Sequence, residues 1–304
     1  MKIGPKTPRL EWGLAGAGRA GGALAAALAG SAPGGGVPFV AIWDRNPERA
    51  QRLARRRGIW AAGNLKSLTR RCRVLLIAVS DDALPGFAET LAEDLSASGP
   101  GPECALHLAG ALPSTVLAPL ADRRKMALGV FHPVAALQGP RSAGIFAGTY
   151  ATISGGPAAL NRARALARHL GMRPLVVDDE ARALVHLAAV LAAGDMITLL
   201  SLGEELLERA GLTPATSRKL LSTLSRSASS AYEEKGLEGA LTGPVPRADT
   251  ETLARHLEAV ERLGSTGMAI GQIHRRLAME AARRLRQRQV LGETAWRRLR
   301  RLLS

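Results

Sequence analysis

The chain has 304 residues, of which 46% are hydrophobic, and this combination excludes a disordered protein and leaves room for two domains with separate cores. Its two cysteines, Cys72 and Cys104, exclude a disulfide framework and lack metal-ligand spacing, so we expect a cytoplasmic protein without a metal. The net charge of +15 indicates phosphate-bearing ligands or nucleic acid as partners. Dispersed arginine clusters and an aromatic content of 3% favour a solvated basic surface over nucleic-acid binding.

A glycine-rich turn follows the first predicted strand. Residues 10–15 form a short apolar run, Gly16, Gly18 and Gly21 come next, and an alanine-rich segment with high helix propensity follows. This order is typical of a dinucleotide-binding turn, in which the glycines allow the bend, the approach of a pyrophosphate and close helix–strand packing. A loop of small residues is the alternative. The predicted cofactor residues here are Gly16, Ala17, Gly18, Arg19, Ala20 and Gly21.

The same segment also looks superficially like a secretory signal. Lys2, Lys6 and Arg9 precede a run of small apolar residues. Arg19 and the three glycines interrupt that run, and both features argue against export.

The second predicted strand, residues 37–43, ends in a charged pair, Asp44 and Arg45. An acid at this point accepts hydrogen bonds from a ribose 2′-hydroxyl and favours NAD, whereas an arginine accommodates the 2′-phosphate of NADP. Both side chains could instead belong to an ordinary turn. Because nearby arginines make the pocket positive, we expect NAD(P) binding with NADP slightly favoured.

Further apolar runs predict the rest of a right-handed parallel α/β sheet, since they alternate with helical segments. The runs cover residues 73–79, 104–109, 126–131, 149–154 and 173–178, and loops are predicted at 31–36 and 96–102. Because the carboxyl ends of parallel strands line the ligand crevice, Val79, Ser80, Asp81 and Gly110 are expected at the cofactor site. Beyond residue 180 the pattern is helical, which predicts a Rossmann domain at 1–180 and a helical substrate and dimerisation domain at 181–304.

The longest weakly charged stretch is 183–203, and its length approaches that of a bilayer span. Glu204, Glu205 and Glu208 continue the same helical pattern, which favours a buried helix of a soluble domain over a membrane helix. The segment 184–207 is apolar on too many sides for one solvated face, so we predict a homodimer. Small residues there permit close helix approach: Ala189, Ala193 and Gly203.

Several segments together resemble one family. They are the glycine turn, Ser80-Asp81-Asp82-Ala83, His107-Leu-Ala-Gly110-Ala111, His132-Pro133, His186-Leu-Ala-Ala-Val190, and the Leu-Thr-Gly-Pro-x-x-Arg-x-Asp stretch at 241–249. The chain resembles Rossmann-like proteins whose C-terminal helical domain is a domain of unknown function. They are similar in layout to pyrroline-5-carboxylate reductase, ketopantoate reductase and 6-phosphogluconate dehydrogenase. The resemblance implies reduction of imines or ketones with NADPH, and dimerisation through the helical domains.

Three positions depart from the pattern of that family. Ala109, Gly194 and Ala248 stand where serine, asparagine and glycine are expected. If the serine and the asparagine help to hold the substrate or the nicotinamide amide, their replacement removes activity or changes the substrate. This departure favours the alternative of a catalytically silent NAD(P)-binding sensor or scaffold.

Two histidines are candidates for the proton transfer that accompanies nicotinamide chemistry. His186 lies near the start of the first helix of the helical domain, and we predict that it donates the proton, because histidine is readily poised near neutral pH. A histidine that only packs in a helix turn is the alternative. His132 ends a strand on the crevice side, where it either lines the site or forms a turn.

A loop interrupted by glycine and proline carries Thr242, Arg247 and Asp249. We predict that Arg247 binds the anionic group of a small substrate bidentately, with the other two residues in the same site. The alternative is a surface Arg–Asp pair in which Asp249 caps the next helix. The sequence thus predicts an NAD(P)H-dependent oxidoreductase that reduces a small keto acid or imine in the cleft between its two domains.

Overall fold

The computed structural model describes residues 10–30, 40–96, 101–121 and 126–304. The predicted loop at 31–36, the start of the second predicted strand and most of the loop at 96–102 lie outside these residues. The chain divides into two compact units, residues 1–193 and 194–304. The predicted domain boundary at residue 180 stays a prediction.

The first unit is built on an eight-stranded sheet with the order β3-β2-β1-β4-β5-β6-β7-β8. Strands β1 to β6 are parallel, β7 runs antiparallel to β6, and β8 is parallel to β7. The prediction of a Rossmann-type sheet is confirmed, but the last two strands run against the predicted direction. The strands are β1 Leu10–Ala15, β2 Val40–Trp43, β3 Trp60–Ala61, β4 Cys72–Ile77, β5 Cys104–His107, β6 Ala127–Val134, β7 Tyr150–Gly155 and β8 Arg173–Val176.

Helices cover both faces of this sheet. One buried cluster joins α1, α2 and α5 to the sheet, and another joins α3 and α4 to its opposite face. Because both faces are covered, β5 is buried along its whole length, which explains why its sequence is a continuous apolar run rather than an alternating one. The helices are α1 Arg19–Gly30, α2 Pro47–Arg57, α3 Leu65–Thr69, α4 Leu84–Ser96, α5 Pro157–His169 and α6 Arg182–Val190.

Local capping fixes the segment that follows β2. The Asn46 side chain accepts hydrogen bonds from the backbone N–H groups of Glu48 and Arg49, and Pro47 occupies the first turn of α2. The helix ends at Gly58, whose φ of 65° lies in the left-handed region that glycine tolerates. The cap at Asn46 therefore fixes the turn that carries Asp44 and Arg45 at the start of α2, and Gly58 ends the helix.

The second unit is helical, as predicted. Its helices are α7 Met196–Arg209, α8 Pro214–Ala240, α9 Thr250–Glu261, α10 Gly264–Gln287 and α11 Glu293–Leu303, and Gly236 interrupts α8 with a φ of 64°. Leu253, Ala282, Leu285 and Leu299 form the centre of a buried cluster that joins α9, α10 and α11. The final basic stretch therefore forms helices whose apolar faces pack in a core and whose arginines face outward.

A five-residue π-helical segment, Leu191–Asp195, links α6 to α7, and the most apolar 18-residue window of the resulting run Arg182–Arg209 has a mean hydropathy of 1.9. By length and composition it is the one helix of the described residues that could cross a membrane, and its most apolar 18-residue window has no buried residue. The expectation that this run is buried in its own domain is therefore wrong for the single chain. Leu184 shows this most clearly, with 71% of its surface exposed. Gly203 packs against Leu221 of its own unit: an added Cβ would lie 3.2 Å from that side chain.

Candidate functional site

The glycine turn after β1 has a different steric requirement at each of its glycines. Gly16 has a φ of 109°, and an added Cβ would lie 2.5 Å from the carbonyl oxygen of Ala78. A Cβ on Gly21 would lie 2.0 Å from the carbonyl oxygen of Gly16. At Gly18, by contrast, an added Cβ meets nothing within 4 Å among the described residues. Two glycines are thus required by the fold, and the third leaves space beside the first turn of α1, where free N–H groups favour an anion.

A cavity of about 750 Å³ opens beside this turn. It extends to the indole of Trp43 and the ring of Phe87, whose centroids are 6.3 Å apart. Glycines at one end and aromatic rings at the other suit the pyrophosphate and the base of a dinucleotide. Six of the predicted cofactor residues line this cavity: Gly16, Gly18, Asp44, Arg45, Val79 and Ser80.

The other predicted cofactor residues do not line this cavity. Ala17 is buried in the turn, Arg19 and Ala20 begin α1, and Asp81 begins a 3-10 turn directly after Ser80. Gly110 lies away from this lining, against the two candidate histidines. Their role in cofactor binding stays a prediction.

The two charged residues after β2, Asp44 and Arg45, have different surroundings. Asp44 is buried, and its carboxylate accepts hydrogen bonds from the backbone N–H of Ala17 at 2.6 Å and of Asn46 at 2.8 Å. Arg45 is exposed at the cavity, and the half-exposed Arg49 lies beside it, 4.0 Å from Asp44. The acid therefore stabilises the glycine turn, and the arginines provide the positive charge of the cavity rim.

His132 and His186 form a second cluster in the first unit. Their ring centroids are 5.5 Å apart in an edge-to-face arrangement, and a Cβ on Gly110 would lie 2.2 Å from His186 Nδ1 and 2.8 Å from His132 Cε1. His132 Nδ1 donates a hydrogen bond to the carbonyl of Leu108 at 2.9 Å, which leaves Nε2 as the acceptor of the neutral ring. His186 Nδ1 is buried and has no hydrogen-bond partner among the described residues.

Burial lowers the pKa of His132, and the nearby His186 and Arg182 lower it further. The hydrogen bond to Leu108 and the charge of Asp81 oppose this shift. Asp81 directly follows Ser80, which lines the cavity. The lowered pKa favours the neutral form of the His132 ring.

The predicted substrate loop belongs to the other unit. Thr242 and Arg247 are exposed, and Asp249 caps α9 by accepting hydrogen bonds from the backbone N–H of Thr252 at 3.0 Å and from its hydroxyl at 2.8 Å. These bonds lower the pKa of Asp249. Asp249 thus has the capping role that the sequence offered as the alternative, and its role with Thr242 and Arg247 in substrate binding stays a prediction.

Ala248, in the same loop, has a φ of 50°. This is the left-handed region, which glycine adopts at little cost and alanine does not. The backbone conformation therefore explains why the resemblance implies a glycine at this position.

Four residues of these clusters were missed by sequence reasoning. Trp43 and Phe87 are ordinary apolar positions in the pattern, and no sequence signal distinguishes them. Arg182 is fully buried beside Asp179. A lone arginine at the start of an apolar helical run is the signal that could have identified this pair.

The fold and the two clusters define a Rossmann-type dinucleotide-binding unit joined to a helical unit. Comparison with known families agrees: a Rossmann-like domain matches residues 2–133, and a domain of unknown function, DUF2520, matches residues 149–281. The chain is therefore a Rossmann-like protein with a DUF2520 domain, as the sequence resemblance implied. No curated protein matches the chain.

Solved structures share this fold over most of the chain. A candidate NADP oxidoreductase from Bacteroides fragilis is 23% identical, with a TM-score of 0.71 and coverage of 90% of this chain and 98% of its own. A Plasmodium falciparum pyrroline carboxylate reductase with NADP bound is 11% identical (TM-score 0.58, coverage 97% and 98%). An imine reductase from Pseudomonas sp. is 18% identical (TM-score 0.59, coverage 86% and 91%). At these identities the likeness establishes the fold.

Proposed function

We propose that the protein is an NAD(P)H-dependent reductase of a small anionic imine or keto acid, with NADP the favoured cofactor. The observations that carry this proposal are the cavity beside the glycine turn and, in the same unit, the His132–His186 pair against Gly110. The solved relatives named above as NADP oxidoreductase, pyrroline carboxylate reductase and imine reductase support the same class.

The residues present fit a dinucleotide. The space at Gly18 admits a pyrophosphate to the start of α1, Trp43 and Phe87 offer apolar faces for the base, and Arg45 offers a charge for a 2′-phosphate. The reduced nicotinamide supplies the hydride when it is bound. The protein's task is then to hold the substrate and to deliver a proton to its nitrogen or oxygen.

Proton delivery falls to His186. Its Nδ1 is buried against Gly110 and has no hydrogen-bond partner among the described residues. Arg247 is the predicted partner of the substrate's anionic group, because a guanidinium binds a carboxylate through two hydrogen bonds. A homodimer in the cytoplasm is part of the same proposal.

Replacement of the proton donor tests this mechanism. We expect His186→Ala to lower kcat about 100-fold or more, with the Kd for NADPH unchanged, because general acids contribute about 10² to 10⁴ to a rate. Turnover is measured as NADPH oxidation with a panel of imines and keto acids. His256→Ala, an exposed histidine of α9, is the matched control and should keep full activity. Equal turnover in the His186 variant and the wild type would contradict the assignment.

A catalytically silent NAD(P) sensor is the second candidate, and Ala109 favours it because a buried methyl group stands where the family pattern has a hydroxyl. The same panel separates the two functions. A sensor binds NADPH and oxidises it with no member of the panel.

A further inference from the structure

Arg182 is a buried charge at the start of α6, one helical turn before His186. Only 1% of it is exposed, although arginine is rarely fully buried. Its Nε lies 3.6 Å from Oδ1 of Asp179, and its Nη1 lies 3.5 Å from the hydroxyl of Thr152. Even a paired buried charge often contributes less stability than apolar residues would, so an ion pair at this position calls for a function.

Asp179 connects this arginine to two other segments. Its Oδ2 accepts hydrogen bonds from the backbone N–H of Ser114 at 3.0 Å and from the Ser114 hydroxyl at 2.8 Å. Its Oδ1 accepts a hydrogen bond from the Ser154 hydroxyl at 2.7 Å. Ser154 lies in β7, and Ser114 follows the turn that contains Gly110. The carboxylate therefore connects the start of α6 to β7 and to the segment that follows the Gly110 turn.

The same contacts lead directly to the histidine pair. Thr152, which Arg182 approaches, lies opposite His132 in the β6–β7 register. His186 is four residues after Arg182, so the two side chains lie on the same face of α6. Any displacement of the start of this helix changes the position of His186 against His132 and Gly110.

We propose that Arg182 and Asp179 are positioning residues that hold His186 against His132 and Gly110 for proton delivery. Only the kinetic consequence of this inference rests on the proposed reductase function. Its structural consequence, the state of the histidine rings, is measured without any reaction.

Arg182 also sets the electrostatic surroundings of His132. The charged and titratable groups near that ring are His186, Arg182, Asp81 and His107. Arg182 opposes protonation of the ring, so a neutral side chain at position 182 should raise the pKa of His132. If Arg182 only stabilised the fold and lay far from His132, its replacement would leave the pKa of His132 unchanged.

Arg182→Gln is the suitable variant because it leaves no unpaired buried charge. Asp179 keeps its three donors from Ser114 and Ser154, and its side chain is 29% exposed. Ring titration by NMR with isotope-labelled histidine should show the pKa of His132 raised by at least about 0.5 pH unit. kcat should fall at least about tenfold with the Kd for NADPH unchanged, and the pH–rate profile should move to higher pH.

Two further variants complete the test. Arg182→Lys keeps the charge, so it should keep the pKa of His132 near its wild-type value and retain part of kcat. Arg162→Gln is the matched control, since Arg162 also bridges two acids of the same unit, Glu11 and Glu103, but away from the histidines. It should change neither readout.

The outcomes separate the two proposals. An unchanged His132 titration in folded Arg182→Gln overturns the positioning role, whatever the enzyme does. A shifted titration in a protein that turns over no substrate supports the positioning role and contradicts the reductase function. If Arg182→Gln does not fold, the double variant Asp179→Asn/Arg182→Gln, which removes both charges together, is titrated in its place and judged by the same shift.

Discussion

A substitution at Gly18 should affect cofactor binding without affecting the fold. Because an added side chain meets open space there, Gly18→Val should fold normally and place its methyl groups where the pyrophosphate would lie. Loss of two charge-assisted hydrogen bonds costs about 3 kcal/mol, so NADPH affinity should fall about 100-fold in calorimetry. Gly156→Val, at an equally open position before α5, is the control. Unchanged affinity in the folded Gly18 variant would refute the turn as the cofactor site.

Arg45 and Asp44 should have opposite consequences for cofactor choice. Arg45→Ser should lower NADPH affinity about tenfold and leave NADH affinity in place, because the arginine is exposed at the cavity. Asp44→Ser should weaken both cofactors, because its carboxylate holds the backbone of the glycine turn. Paired titrations with NADH and NADPH check this. A loss confined to NADH in the Asp44 variant would show that the acid reads the ribose.

His107 makes the stability of the first unit depend on pH. Burial lowers its pKa from 6.5 to about 4, against the hydrogen bond that its Nε2 donates to the carbonyl of Pro113. Between those values the unfolded chain binds more protons, so the free energy of unfolding should decrease as the pH falls from 6.5 to 4, by up to about 3 kcal/mol. Urea unfolding across this range measures it. His107→Leu should reduce the slope, and His256→Leu should not.

At the scale of elements, the sequence predicts most strands and helices of the first unit, because buried parallel strands are continuous apolar runs. β3 escaped prediction since its two residues are too short to show a pattern. The reversed direction of β7 also escaped, because an apolar run has the same composition in either direction. That reversal places Thr152 opposite His132, so the surroundings of the histidine pair could not be derived from periodicity either.

The run Arg182–Arg209 exposes several large apolar side chains. Leu184 and Leu187 are 71% and 53% exposed, and burying a leucine contributes about 1.5 to 3 kcal/mol. We predict a homodimer formed through this run, and a Leu184→Glu/Leu187→Glu variant whose dissociation constant is raised about 100-fold or more. Light scattering across a dilution series measures both proteins. Leu175→Glu, an exposed leucine on β8, is the control. A wild-type monomer at tens of micromolar would contradict the prediction.

For the molecule as a whole, some of the 41 lysines and arginines behind the net charge of +15 are paired with acids within the helices. Arg283 and Arg284 both contact Glu280, and Arg297 contacts Glu293. Exposed pairs of this kind contribute little stability, but they reduce the number of arginines that are free to bind phosphates. The local arrangement at Arg45 and Arg49 therefore says more about a phosphate ligand than the net charge does.

The residue at position 110 separates proteins of this fold that can form the histidine pair from those that cannot. One methyl group at that position would overlap both histidine rings, so the pair and any residue larger than glycine exclude each other. Under the proposed function, a single substitution of Gly110 would displace His186 and silence the reductase. In another chain with this fold, a residue larger than glycine at this position therefore predicts that the histidine pair is not formed.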